Sequence, residues 1–140
     1  MRVLGIDLGT KRIGVAVSDR SGTIATPLVV LERGRSRAGD HARIAELVSA
    51  EEVERVVVGL PVSLSGADGP AARAARTEAA VLATVVGVPV ETHDERLTTV
   101  TAERRLAERG VRGQRRRAVV DKEAAAVILQ SWLDARGGSG

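Results

Sequence analysis

GIDLGTKRIGVAVSD (residues 5–19) carries an aspartate into an apolar strand, breaks at Gly9, Thr10, Lys11 and Arg12, and resumes at once as a second apolar strand. A period of two puts Leu4, Ile6 and Leu8 on one face of the first strand and Val3, Gly5 and Asp7 on the other. Gly5 and Gly9 flank Asp7, so no large side chain on that strand need block a ligand from its carboxylate. Thr10 and Lys11 add a hydroxyl and a cation beside any bound phosphate. An aspartate entering a turn is also ordinary turn chemistry, so the meaning of Asp7 depends on partners elsewhere in the chain.

Outward from this hairpin, a turn at 19–22 leads to a third strand at 23–31, where Pro27 predicts an edge position. An arginine-rich loop at 32–39 precedes a helix at 40–50, with Asp40 as its N-cap and Ile44, Leu47 and Val48 on one side. The run VVVGL (residues 56–60) reads as a strand buried on both faces. Pro70 opens a helix that stops at Gly87, with Ala74, Ala75, Val81, Leu82 and Val85 as its apolar stripe. A fifth strand at 88–93 is followed by a helix capped by Thr98 or Thr99 and running to Arg109, with Gly110 as its stop. A basic loop at 110–114 precedes a last helix at 117–135, which sets Asp121, Ala125, Ile128 and Trp132 on one face.

Three antiparallel strands, then helix, strand, helix, strand and two helices, predict an α/β chain with a ribonuclease H-like fold. The expected sheet is five-stranded and mixed, three antiparallel strands followed by two parallel ones, flanked by helices. The 140 residues suit one domain, placed at 1–136, with GGSG at 137–140 as a flexible tail.

Composition narrows the chemistry. Trp132 is the only aromatic residue, which argues against nucleic-acid binding by stacked rings. The chain has no cysteine, which removes disulfides, thiolate catalysis and sulfur-ligated zinc and fits a reducing compartment. Its start lacks a signal-peptide layout, and no run approaches the roughly 18 apolar residues of a membrane span. A cytoplasmic protein with no membrane partner is expected. The net charge is +3, and of 21 basic residues all but Lys11 and Lys122 are arginine. A GC-rich genome can produce that bias. Position says more: Arg104, Arg105, Arg109, Arg112, Arg115, Arg116 and Arg117 crowd into one short segment, a pattern resembling a phosphate-binding footprint.

Two further acids deserve comparison with Asp7. Glu95 follows a short strand and precedes a helix, where open sheets form sites, but Asp94 is adjacent and strand alternation would turn only one of them inward. Both also suit the positive end of a following helix. Asp121 shares a helix face with Ala125 and Ile128, where a lone carboxylate is costly. It could instead cap the helix, although Ala124 stands where a capping box wants Glu or Gln. If Asp7, Glu95 and Asp121 converge, they form an all-oxygen site for Mg2+ or Mn2+, suited to two-metal hydrolysis of a phosphodiester.

GIDLGTKRIGVAVSD, VVVGLPVSLSG, DERLTTVTAERRL and VVDKEAAAVILQSWLD together resemble the YqgF (RuvX-like) family of pre-16S ribosomal RNA nucleases, in register from about residue 2 to residue 134. The resemblance implies a ribonuclease H-like fold, a cytoplasmic bacterial setting and maturation of the 5′ end of pre-16S rRNA. It implies Asp7, Glu95 and Asp121 as the catalytic, metal-holding acids. It also implies a substrate groove lined by Lys11, Arg12, the loop at 59–66, Arg96 and the loop at 110–117 with Arg112, Arg115, Arg116 and Arg117. One departure is SLSGADGP, which lacks the acid or amide often found before the first loop glycine and leaves the role of Ser65 open.

Three other readings compete. DxGT before an apolar strand also resembles the first phosphate segment of sugar kinases, actins and chaperone ATPases, which need a second domain and an adenosine pocket. A Holliday junction resolvase acting on four-way DNA would use similar acids and a dimer that presents two sites, and RNA is told from DNA by contacts to the 2′-hydroxyl; the chain itself is expected to be a monomer or homodimer. A non-catalytic nucleic-acid-binding factor in ribosome assembly or transcription would use the acids only to bind a structural metal.

Overall fold

A computed structural model describes the backbone of residues 1–62, 69–97 and 114–138, and the side chains of residues 1–62, 69–96 and 123–136. The opening hairpin forms β1 (Val3–Leu8) and β2 (Arg12–Ser18), paired antiparallel from Leu4 opposite Val17 to Leu8 opposite Ile13. β3 (Ala25–Glu32) pairs antiparallel with β2 at the sheet edge, and its register shifts so that Pro27 falls opposite Ala16. Proline has no N–H to give a ladder, so an edge strand with an irregularity is where it fits.

Two crossovers follow. α1 (Arg37–Ala50) leads to β4 (Arg55–Leu60), parallel to β1, and α2 (Pro70–Val86) leads to β5 (Val90–Asp94), parallel to β4. The strand order is β3-β2-β1-β4-β5, the mixed ribonuclease H-like sheet expected from the sequence. A short 3-10 turn, Glu95–Leu97, succeeds β5, and α3 (Gln114–Gly138) is the last described element. Among the described residues, no helix is long and apolar enough to cross a membrane.

The sheet is covered on both sides. Leu4, Ile6, Val15, Val56 and Val58 pack with Ile44 and Val48 of α1 and with Leu82 and Val86 of α2. Val3, Ala16 and Val57 pack on the other side against Ala124, Ala125, Ile128, Leu129, Trp132 and Leu133 of α3. The unbroken valine run of β4 is therefore split between two cores, as a central strand requires.

Several boundaries differ from expectation. α1 begins at Arg37, because Ser36 is its N-cap and its Oγ accepts the Gly39 N–H at 3.1 Å. Asp40 is not the cap; it is buried in the first turn, where it accepts the Gly34 N–H at 2.8 Å. α2 starts on Pro70 and stops at Gly87 as expected, but it buries Ala72, Ala75, Glu78, Ala79, Leu82 and Val86. Ala74, Val81 and Val85 of the expected stripe are exposed. An alanine-rich helix offers little apolar contrast to fix its rotation, and here Glu78 is drawn inward by Arg33 and His41. β5 lies at Val90–Asp94 rather than 88–93, and α3 extends beyond 117–135 at both ends, through Gly138. The predicted helix at 98–109 and the loop at 110–113 lie outside the described residues.

Candidate active site

Asp7 is next to last in β1 and only 2% exposed. It pairs with Gly14 of β2, and the β1–β4 register, Gly5 with Val57 and Ile6 with Val58, would set Asp7 beside Gly59 if continued by one residue. Glycine on both neighbouring strands leaves the Asp7 carboxylate uncrowded by cross-strand side chains. Like Gly5, it belongs to the sheet face that α3 covers.

Glu95 opens the 3-10 turn after β5 and is also 2% exposed. A Cβ placed on Gly59 would stand 2.4 Å from Ile128 Cδ1 and 3.4 Å from Glu95 Cγ. Glu95 and Ile128 therefore both lie over Gly59, and a side chain there would force Ile128 to shift. Asp94 turns away. Its Oδ1 accepts the Arg96 N–H at 2.8 Å, and its Oδ2 accepts from Arg96 Nε at 2.8 Å and Nη2 at 2.5 Å.

The two neighbours are electrostatically opposite. The bonds from Arg96 hold the Asp94 carboxyl below its usual range, against the effect of burial. Burial, with the Asp94 charge added, pushes the Glu95 carboxyl up to about 7.

The direction of α3 fixes where position 121 falls. Trp132 Nε1 donates to Glu91 Oε1, Ser131 Oγ lies 2.9 Å from His93 Nε2, and Ile128 sits beside Glu95 on Gly59. As β5 advances from Glu91 to Glu95, the helix runs back from Trp132 to Ile128. On β1, a Cβ at Gly5 would lie 2.7 Å from Leu129 Cβ and 3.0 Å from the Ala125 carbonyl oxygen. Two strand residues cover about 6.6 Å and four helix residues about 6 Å, so the backbone at 121 is level with Asp7. The Asp121 side chain lies outside the described residues. Among those residues, no three His, Cys, Asp or Glu gather as a metal-holding group.

Buried carboxylate oxygens are the ligand type a hard divalent cation takes, and burying their charge has a cost. The cost is visible in the raised pKa of Glu95. His93, the nearest nitrogen ligand in sequence, is engaged with Ser131.

The basic residues expected at the groove are placed unevenly. Lys11 is exposed at the hairpin tip. Arg12 is buried rather than presented to solvent, with Nε 3.3 Å from Glu32 Oε1 across the β2–β3 ladder. Arg96 is exposed, and its guanidinium is engaged by Asp94. Arg112 lies outside the described residues, and Arg115, Arg116 and Arg117 begin α3 with side chains also outside them. Sequence reasoning missed Arg33, which reaches the Gly9 carbonyl at 2.9 Å. Its signal was indirect, an acid at Glu78 in an alanine-rich helix.

The RuvX family model, described as Holliday junction resolvase, matches residues 1–135. The chain belongs to the RuvX family. A relative from Anaeromyxobacter dehalogenans, named "Putative pre-16S rRNA nuclease", is 52% identical over 136 residues, covering 97% of this chain and 98% of its own. One of the same name from Myxococcus xanthus is 50% identical over 135 residues, covering 96% and 89%. Among solved structures, Thermus thermophilus RuvC in complex with a Holliday junction substrate superposes with a TM-score of 0.60 at 22% identity, over 99% of this chain and 97% of that one. RuvX membership thus agrees with the four motifs, and the RuvC likeness is one of fold.

Proposed function

We propose that this RuvX-family chain is a divalent-metal-dependent endonuclease that hydrolyses phosphodiester bonds and matures the 5′ end of pre-16S rRNA. The observation that carries the reading is a pair of buried carboxylates on the face traversed by α3: Asp7 near the end of β1, and Glu95 lying over Gly59 of the neighbouring strand β4. The name shared by relatives at about half identity supports the RNA substrate.

Asp7 and Asp121 would be the principal holders of Mg2+ or Mn2+, with Glu95 as third ligand or as base toward water. When bound, such a cation supplies charge neutralisation at the phosphate oxygens and a more acidic attacking water. Burial pushes the Glu95 carboxyl up to about 7, which suits a group that takes a proton at neutral pH. Thr10 and Lys11, exposed at the hairpin tip beyond Asp7, offer a hydroxyl and an ammonium to a neighbouring phosphate. Arg115, Arg116 and Arg117 would hold the nucleic-acid backbone without reading sequence.

A second reading, resolution of four-way DNA, is favoured by the family description and draws on the same acids. Incubating pure protein with 5′-extended 16S precursor and with junction DNA, in Mg2+, Mn2+ or chelator, separates the two. Precursor cut near its 5′ end only with metal is the expected result, and preferred cutting of the junction selects the second reading. No cleavage of either substrate leaves a nucleic-acid-binding factor.

A further inference from the structure

On the side of the sheet opposite α3, one residue grips the turn that follows Asp7. The Gly9 N–H donates to the Arg12 carbonyl at 2.9 Å and closes the hairpin tip. The Gly9 carbonyl accepts from Arg33 Nε at 2.9 Å, and the Lys11 carbonyl accepts from the Arg33 backbone N–H at 2.9 Å. Arg33 therefore holds both shoulders of the tip, on either side of Thr10. The tip has no slack: a Cβ at Gly9 would stand 2.6 Å from the Arg12 carbonyl oxygen.

The guanidinium is itself locked. Arg33 Nη1 donates to Glu78 Oε2 at 2.7 Å and Nη2 to Oε1 at 2.9 Å, a two-pronged pair between β3's exit and α2. Glu78 is 4% exposed and also meets His41 Nε2 of α1 at 2.8 Å. Asp40 stands 3.5 Å from Arg33 and is held by the Gly34 N–H and by Arg43. α1 and α2 converge on one side chain, and that side chain points at the turn two residues beyond Asp7.

Stability alone is a weak reason for such an arrangement. A buried ion pair adds little over apolar residues of the same volume, because desolvation offsets the attraction. What an apolar pair cannot do is fix a backbone carbonyl through an N–H of set direction.

We propose that Arg33, locked by Glu78, is a positioning residue for cleavage: it fixes the Gly9-Thr10-Lys11 turn, and with it the Asp7 carboxylate and the groups that meet the scissile phosphate. The proposal rests on the nuclease reading above. Its test is R33M/E78Q, which removes the ion pair together, keeps the volume of the arginine stem and leaves His41 a hydrogen-bonding partner. The expected result is a wild-type melting temperature and KM with kcat for precursor RNA lowered about 10- to 100-fold. A purely structural role would move the melting temperature and leave kcat of the folded protein unchanged.

Should the double variant not fold, E78Q alone keeps Arg33 in place but weakens its lock, and a smaller fall in kcat at unchanged KM is expected. Wild-type kcat in whichever variant folds overturns the proposal while the nuclease reading stands. Failure of the wild-type protein to cleave any substrate overturns the nuclease reading, and the proposal with it.

Discussion

Asp7 and Glu95 differ in how far their neighbours reveal them. Asp7 lies within a regular strand, so period two alone puts it on the face of Val3 and Gly5, and that face is the one α3 covers. Glu95 was not legible, because β5 ends at Asp94 and alternation fails where the 3-10 turn begins. A local bond decides the matter: Arg96 captures Asp94, and Glu95 is left to the interior. Asp121 was read from helical spacing to Ala125 and Ile128, both of which are buried on α3. For Glu95 the titration has a definite sign. Its carboxyl is raised from 4.5 to about 7, so the folded protein binds more protons there than the unfolded chain, and stability falls as pH rises across that window. In metal-free protein, E95Q should equal wild type near pH 4 and exceed it above pH 7, by at most on the order of 3 kcal/mol. Urea unfolding at the two pH values reads this directly, and equal gains at both would contradict a buried, charge-averse Glu95. Mn2+ added at pH 8 should raise the melting temperature of wild type more than that of E95Q.

Elements were legible where their chemistry is punctuated. Pro27 marked an edge strand, Pro70 and Gly87 bounded α2, and the valine run marked the sheet centre. Ser36 took the capping role predicted for Asp40, because Asp40 is engaged by Gly34 and Arg43 across the loop. The rotation of α2 was illegible, since a tertiary partnership between Glu78 and Arg33 overrides a faint apolar stripe. That partnership also has an acid signature. Burial works to raise the carboxyls of Glu78 and Asp40, but bonds from Arg33 and His41 to the first, and from Gly34 and Arg43 to the second, hold both below their usual range. Their contribution is complete above about pH 4.5 and is lost as pH falls, so R33M/E78Q should unfold over a narrower range of acid pH than wild type. On the other face, Gly5 is the seat of α3. G5A brings a methyl against a backbone carbonyl of Ala125 that has no rotamer to change, and should cost about 1 to 3 kcal/mol. Because α3 would be pushed from β1 with position 121 aboard, cleavage should fall as well; wild-type stability and rate in G5A would show that the helix is not seated there.

Across the whole molecule, fold and family were readable because four motifs fall in order along one chain, and the sheet they predict has the observed strand order. The arginine bias was less informative, as its members serve different ends. Arg33 braces the interior, Arg12 and Arg55 pair with Glu32 and Glu91, and Arg96 holds Asp94. Among the described residues, the free basic surface is therefore smaller than the composition implies, which puts weight on the segment leading into α3. Replacing Arg115, Arg116 and Arg117 with alanine should weaken RNA binding and reduce the slope of log affinity against log salt by about 2, read by fluorescence anisotropy across a salt series. An unchanged slope would remove that segment from the interface. Whether Asp7 belongs to a metal-dependent cleavage centre is decided by cleavage of end-labelled precursor RNA by wild type and D7N in Mg2+ and in chelator. Wild type should cut only with the ion, and D7N should not cut although it still binds the RNA. Cutting by D7N at the wild-type rate, or by wild type in chelator, would contradict a metal-dependent centre at Asp7.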